Sequence, residues 1–285
     1  SLAPSEMCIR DRHQVIMPSS LFKSEYFEPW LQFKQPNVRQ LAFCLASPNI
    51  IKSIPDELSI HYHFDLHTAN FWQQQFKTYQ PRLHKLDQSP APLLDFLNQL
   101  KSTRLGLRFE YLLWFWLRDA DYHPYQLLGH SLQQIQGAKT LGELDFLVLN
   151  QDTNDIEHWE VALKYYLGEA DLSLGCWFGL NRDDTLSKKM NHFTQRQFQF
   201  VQVEEHLIQK RYAVLKGQLY MPENRLQTDM NLAWIQPQRR LGQWGNQIKQ
   251  GYTRLTRQEW LCPHQFQSST DAIWWTNGLY FNPTS

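Results

Sequence analysis

Four side chains able to do acid–base or metal chemistry stand where packing alone would place hydrophobes: Glu110, Asp145, Glu160 and Lys164. Side chains of an extended segment alternate faces, so within His158 to Leu167 the residues Glu160, Ala162, Lys164 and Tyr166 share one face. Trp159, Val161, Leu163, Tyr165 and Leu167 take the other. A carboxylate and an ammonium thus lie two pleats apart in a segment apolar enough to be a central strand. An isolated charge there is costly unless paired or bound to a metal. Asp145 interrupts the face of Leu147 and Leu149 in the same way, and Glu110 breaks the helical stripe Leu107, Trp114, Leu117. Antiparallel pairing of the two strands across their short connection makes Asp145 and Glu160 neighbours. Two carboxylates that close repel, which favours a bound divalent cation or a raised pKa.

Each of the four has a plainer reading. Glu110 fits a partly exposed or ion-paired residue on a helix. Glu160 with Lys164 fits an ordinary salt bridge along one strand face. Asp145, soon after Gly142, fits turn chemistry. Their ordering across a helix and two strands is what argues against coincidence.

The elements that must position them follow from pattern. Ser89-Pro90-Ala91-Pro92 reads as a hinge into a helical stretch, Leu93 to Leu117, built as two helices meeting near Ser102. The second, Leu105 to Arg118, is apolar almost all round and is expected to be buried on several sides. Strands are expected at Ser131–Gln136, Glu143–Asn150, His158–Leu167 and Arg211–Met221, with turns at 137–142 and 151–155. A basic helix starts at Asp183, Asp184 or Thr185, with the stripe Leu186, Met190, Phe193, Gln197, Phe200. The order helix, three strands, helix, strand implies an α/β (α+β mixed) fold with a mixed sheet flanked by helices. Upstream, prolines 48, 55, 81, 90 and 92 point to turns and helix boundaries rather than long helices.

Composition sets the outer limits. The 285 residues are 42% hydrophobic and 14% aromatic, sufficient for a large core, and most of the eleven Trp belong in it. Net charge is zero, against a protein coated in basic surface, yet Arg182 to Arg257 carries 13 Lys/Arg and only six Asp/Glu. That skew suits a polyanion on one face as well as a solvated surface. Cys8, Cys44, Cys176 and Cys262 show no zinc or redox spacing, in keeping with a reduced, cytoplasmic chain. No run approaches the roughly 18 apolar residues of a membrane helix. No secretion signal is visible either.

Ser5 to Arg12 resembles translated sequencing-adapter read-through, so residues 1–12 are expected to be an artefact, with a natural start near Met17. The remaining boundaries are a mainly helical N-terminal extension at 13–100, a core at 101–222, and an aromatic-rich C-terminal extension packed on it at 223–285.

A helical Glu, an Asp on a strand, then an acid and a Lys on the next strand resembles the PD-(D/E)XK nuclease superfamily. The wider run is similar to a bacterial family, the domain of unknown function numbered 1853. The pieces are Arg-Leu-Gly-Leu-Arg-Phe-Glu (104–110), Gly-Glu-Leu-Asp-Phe-Leu-Val (142–148), His-Trp-Glu-Val-Ala-Leu-Lys-Tyr-Tyr-Leu (158–167), the helix with Leu186, Lys189 and Gln197, and Leu215-Lys216-Gly217.

The resemblance implies a restriction-endonuclease-like core and a metal-dependent nuclease acting on DNA or RNA. Asp145 and Glu160 would bind Mg²⁺ or Mn²⁺, with Glu110 orienting a metal water. Lys164 would stabilise developing charge. Lys189 and Gln197 would position the substrate phosphate, although Gln197 equally suits an amide at the edge of the core. The superfamily acid stands two residues before the lysine, at Ala162 here, whereas this chain has it at Glu160, one pleat or roughly 6–7 Å away. The alternative is therefore a catalytically silent module of the same fold that binds nucleic acid or protein, or charges that only bridge one another. His61, His63 and His67 share a strand-like spacing but read as surface or core histidines, since no matching ligand set accompanies them. Trp260, Trp274 and Trp275 read as packing in the tail.

Overall fold

The protein is seen here as a computed structural model that describes residues 7–8, 26–137, 139–223, 232–245, 253–262 and 279–281. Met17, Trp274 and Trp275 lie outside the described residues, as does most of the 1–12 stretch. In chain order the elements are strand β1 (Met7–Cys8), then helices α1 (Pro36–Ala46), α2 (Ala69–Gln88), α3 (Ala91–Leu97) and α4 (Leu105–Arg118). Strands β2 (Tyr125–Gln136), β3 (Lys139–Asn150), β4 (Asp155–Gly168) and β5 (Trp177–Phe178) follow, and then helix α5 (Leu186–Gln195). The chain continues as β6 (Gln202–Val203), β7 (His206–Leu207), β8 (Lys210–Pro222), β9 (Gly242–Trp244), β10 (Thr253–Arg254) and β11 (Leu279–Phe281).

Among the described residues one mixed sheet runs in the order β10-β11-β1-β9-β8-β4-β3-β2, with β5 against β4. The pairs β2/β3 and β3/β4 are antiparallel hairpins, while β4 and β8 run parallel with α5 in the crossover between them. Helices flank both faces of this mixed sheet. On one face Phe146, Val148, Trp159, Val161, Leu163 and Val214 share a core with α1 to α4. On the other, Ala162, Tyr166, Ala213 and Leu215 pack against Leu186, Met190 and Phe193 of α5. The alternation of faces along β4 is the one its sequence dictates.

Four elements depart from the pattern reading. β2 begins at Tyr125, directly after Pro124, and β3 at Lys139, so the hairpin is longer than the apolar alternation revealed. Toward its far end Gln133, Ile135 and Leu141 are exposed, and an exposed ladder needs no hydrophobic face. α2 runs 20 residues straight through Pro81, against the expectation of short helices there. Its buried stripe Trp72, Phe76, Tyr79, Leu83, Leu86 outweighs the one hydrogen bond that proline removes. Finally, α5 stops at Gln195, and Gln197 sits in a short 3-10 turn, 197–199, beyond a break at Arg196 (φ −130°, ψ −53°).

Two buried polar residues on the α1–α4 side have structural partners. Lys216 is fully buried, donates to the Ser47 carbonyl, and holds its ammonium 3.5 Å from the centre of the Trp72 ring. Burial holds its pKa well below that of an ordinary lysine. Its neighbour Gly217 has φ +122°, and a Cβ there would meet the Lys164 carbonyl, so only glycine fits under that strand. His67 is stacked between Phe71 and Tyr212, 3.9 Å from each, as a core histidine. His63 faces Asp65 at 3.4 Å on the surface. Trp260 is buried in the same core and accepts the Tyr165 hydroxyl on its carbonyl at 2.6 Å. Cys44, Cys176 and Cys262 are free thiols.

Candidate active site

The site forms where β3 parts from β4. Their ladder closes at Phe146 opposite Trp159. One step on, the Asp145 side chain replaces the strand, its Oδ2 accepting the Val161 N–H at 2.8 Å. A backbone donor that would otherwise lose its partner is thus satisfied by a carboxylate. The same step brings Asp145 beside Glu160, which is fully buried in the middle of β4.

Glu160 is the centre of a chain of polar groups. Its Oε1 lies 2.6 Å from His158 Nε2, and its Oε2 accepts from Gln197 Nε2. Gln197 Oε1 in turn accepts from Lys189 Nζ at 2.8 Å. Lys189 projects from α5, whose start is fixed by Thr185, its hydroxyl accepting the Lys188 N–H at 3.1 Å. Leu186, Met190 and Phe193 anchor the helix in the core, which leaves Lys189 on its flank with the ammonium 4.0 Å from the Phe193 ring centre.

Burial governs the electrostatics. It pushes Glu160 up to about 8, opposed by the Lys189 ammonium and by hydrogen bonds from Asp145. It raises Asp145 well above the carboxylate range, and the adjacent Glu160 charge adds to the effect. It pushes Lys189 down to about 8, with Glu160 and then Asp145 holding it up. His158 is driven down to about 3 and stays neutral. The acid pair therefore retains a proton into the neutral range, as two carboxylates in one dry place must.

The other two expected members are turned to partners of their own. Lys164 binds Asp184 Oδ2 at 2.6 Å rather than Glu160, so the expected bridge along β4 is absent. Tyr166, on the same face, donates to Asp184 Oδ1 at 3.3 Å. Glu110 accepts from His130 Nε2 at 2.7 Å and from the Ser131 hydroxyl at 3.4 Å. His130 is itself stacked on Trp114 at 4.1 Å. The Glu110 charge is nevertheless felt at both Asp145 and Glu160. Ala162 contributes no polar group. Among the described residues no set of three or more His, Cys, Asp or Glu side chains is arranged to hold a metal ion.

Pattern reading missed His158, His130 and the pairing of Asp184. His158 was within reach, since it shares the Glu160 face one pleat earlier. His130 fell outside because β2 was expected to begin at Ser131. Asp184 was visible only as a helix cap, and its bond to a lysine 20 residues earlier depends on the crossover.

Among the described residues no helix is long and apolar enough to cross a membrane. No curated protein and no solved structure matches the chain. A family model does match, the one described as Domain of unknown function (DUF1853), over residues 39–279. That span takes in every element around the acid pair, and the chain belongs to the DUF1853 family.

Proposed function

We propose that the chain is a metal-dependent phosphodiesterase, built on a restriction-endonuclease-like core and acting on DNA or RNA. The observation that carries this reading is the meeting of Asp145 and Glu160 at the point where β3 leaves β4. Carboxylate oxygens from two adjoining strands fit a hard divalent cation, with water completing its shell. Mg²⁺ or Mn²⁺ bound there supplies a water of lowered pKa and positive charge for the scissile phosphate. Asp145 and Glu160 would hold the ion, and Glu110, itself bound to His130, adds negative potential from α4. Lys164 and Lys189 offer cationic groups to the phosphate, and Gln197 fixes the orientation of Glu160.

Purified protein incubated with Mn²⁺ and plasmid DNA, or structured RNA, tests this reading. Cleavage is expected in the wild type and a loss of at least about a hundredfold in Asp145→Asn and Lys164→Ala. Cleavage that persists in both variants refutes it.

A second reading, a catalytically silent module of the same fold that binds nucleic acid or protein, is favoured by a different observation. Each acid is already engaged by protein donors, Asp145 by Val161, Glu160 by His158 and Gln197, and Glu110 by His130 and Ser131. Metal uptake or nucleic-acid retention without cleavage selects this module.

A further inference from the structure

We propose that Lys189 is the resident counter-cation of the Asp145–Glu160 pair, tied to it through Gln197, and that a divalent cation competes with it for those carboxylates. The second half rests on the metal-dependent reading, and the first does not. Two lysines stand near the acids, and the geometry separates them. Lys164 is committed to Asp184 at 2.6 Å and is part-exposed. Lys189 instead ends a hydrogen-bonded line: Lys189 Nζ to Gln197 Oε1, Gln197 Nε2 to Glu160 Oε2, and Glu160 Oε1 to His158 Nε2. His158 Nδ1 is buried without a hydrogen-bond partner, so this end of the line supplies no second charge. Glu160 and Asp145 are the two acids whose charge acts most strongly on Lys189.

A tethered ammonium within electrostatic reach of two carboxylates does part of what a metal ion does, lowering their mutual repulsion. A metal that binds both carboxylates meets Glu160 Oε2 already held by Gln197, which Lys189 holds in turn. The 3-10 turn carrying Gln197 follows a break at Arg196, so the amide can leave Glu160 without unwinding α5. Lys189 thus sets how much metal the site admits, in addition to the charge it offers the phosphate.

Two measurements on the full chain test this. In metal-free protein, a double-mutant cycle on thermal melting compares Lys189→Met, Glu160→Gln and the pair, with Lys164→Met as control. The expected result is a lowered melting temperature for Lys189→Met, largely restored when Glu160→Gln is added, and little change for Lys164→Met. Additive losses overturn the counter-cation. Mn²⁺ binding, followed by electron paramagnetic resonance, is expected to tighten about tenfold in Lys189→Met and to stay put in Lys164→Met. Equal or weaker Mn²⁺ binding by folded Lys189→Met overturns the competition. If Lys189→Met fails to fold, Lys189→Gln, which keeps a donor for Gln197, carries both tests. Non-additive melting with no Mn²⁺ uptake in any variant removes the metal-dependent reading and leaves the counter-cation standing. Uptake by the wild type and both lysine variants, lost in Glu160→Gln, with additive melting does the reverse.

Discussion

Glu157 and Glu160 are both buried on β4, three residues apart and on opposite faces, and they differ in company. Glu157 accepts from the Asn150 amide at 2.9 Å and the Trp159 indole at 2.8 Å, two donors that never change charge. Glu160 sits among groups that do: Asp145, Lys189 and, across the cluster, Glu110. Around Glu157 the face is aromatic, with Trp159 5.0 Å from Tyr125 and 6.2 Å from Trp116. Burial raises both acids above their ordinary values. A buried carboxylate is therefore no mark of a site by itself. What sets Glu160 apart is that its proton, its amide partner and a nearby ammonium are linked, so a change in one alters the others.

Four measurements would break or sharpen that contrast. The largest effect belongs to the aromatic face. Trp159→Ala is expected to cost about 3–5 kcal/mol in a denaturant titration, from the cavity it opens among Trp72, Trp116 and Tyr125. A loss under about 1 kcal/mol would show that this face is not held by volume.

Next comes pH. Folded Glu160 keeps its proton to about 8 against an ordinary 4.5, so the folded chain holds more protons in that window and stability falls as pH rises through it. His158 acts with the opposite sign, lowered to about 3 from 6.5, so its contribution grows with pH but is complete by 6.5. Between pH 6.5 and 8 Glu160 alone should therefore cost the metal-free protein up to about 2 kcal/mol, and Glu160→Gln should flatten the slope to what buried Asp145, raised in the same direction, contributes. An unchanged slope in the variant would place the proton elsewhere.

A smaller effect is expected from Thr185→Ala, which removes the cap of α5 and with it the fixed start of the helix that carries Lys189. About 1 kcal/mol of stability should go, seen as a lower urea midpoint with an unchanged m-value. The smallest is Lys164→Met. Its part-exposed pair with Asp184 should contribute less than about 1 kcal/mol, so any loss of cleavage in that variant would reflect chemistry rather than folding.

How much of this was legible follows from the range of each interaction. The mixed sheet and the faces of β4 could be read because period-two alternation is a local property, and Glu160 and Asp145 broke it visibly. Their meeting was also legible, because a short hairpin leaves little choice of register. The partners were not. Lys164 reaches Asp184 and Lys189 reaches Gln197 through the α5 crossover and the break at Arg196, neither of which has a periodic signature. Glu110 stands out by sequence as a charge in an apolar helix, but its companion His130 lies on an edge strand whose polar alternation hides its start. Glu157 gave no signal at all, since a carboxylate near a strand end reads as solvated until its donors are seen.

Lys216 makes the protein its own reporter of opening. Amine acylating reagents attack only an unprotonated, accessible nitrogen, and this one is sealed against Trp72 and the Ser47 carbonyl. Surface lysines will be modified within minutes of adding reagent, whereas Lys216 waits for its strand and helix to separate. Mass-spectrometric timing of that one peptide would then clock the rarest excursions of the sheet without any label being introduced.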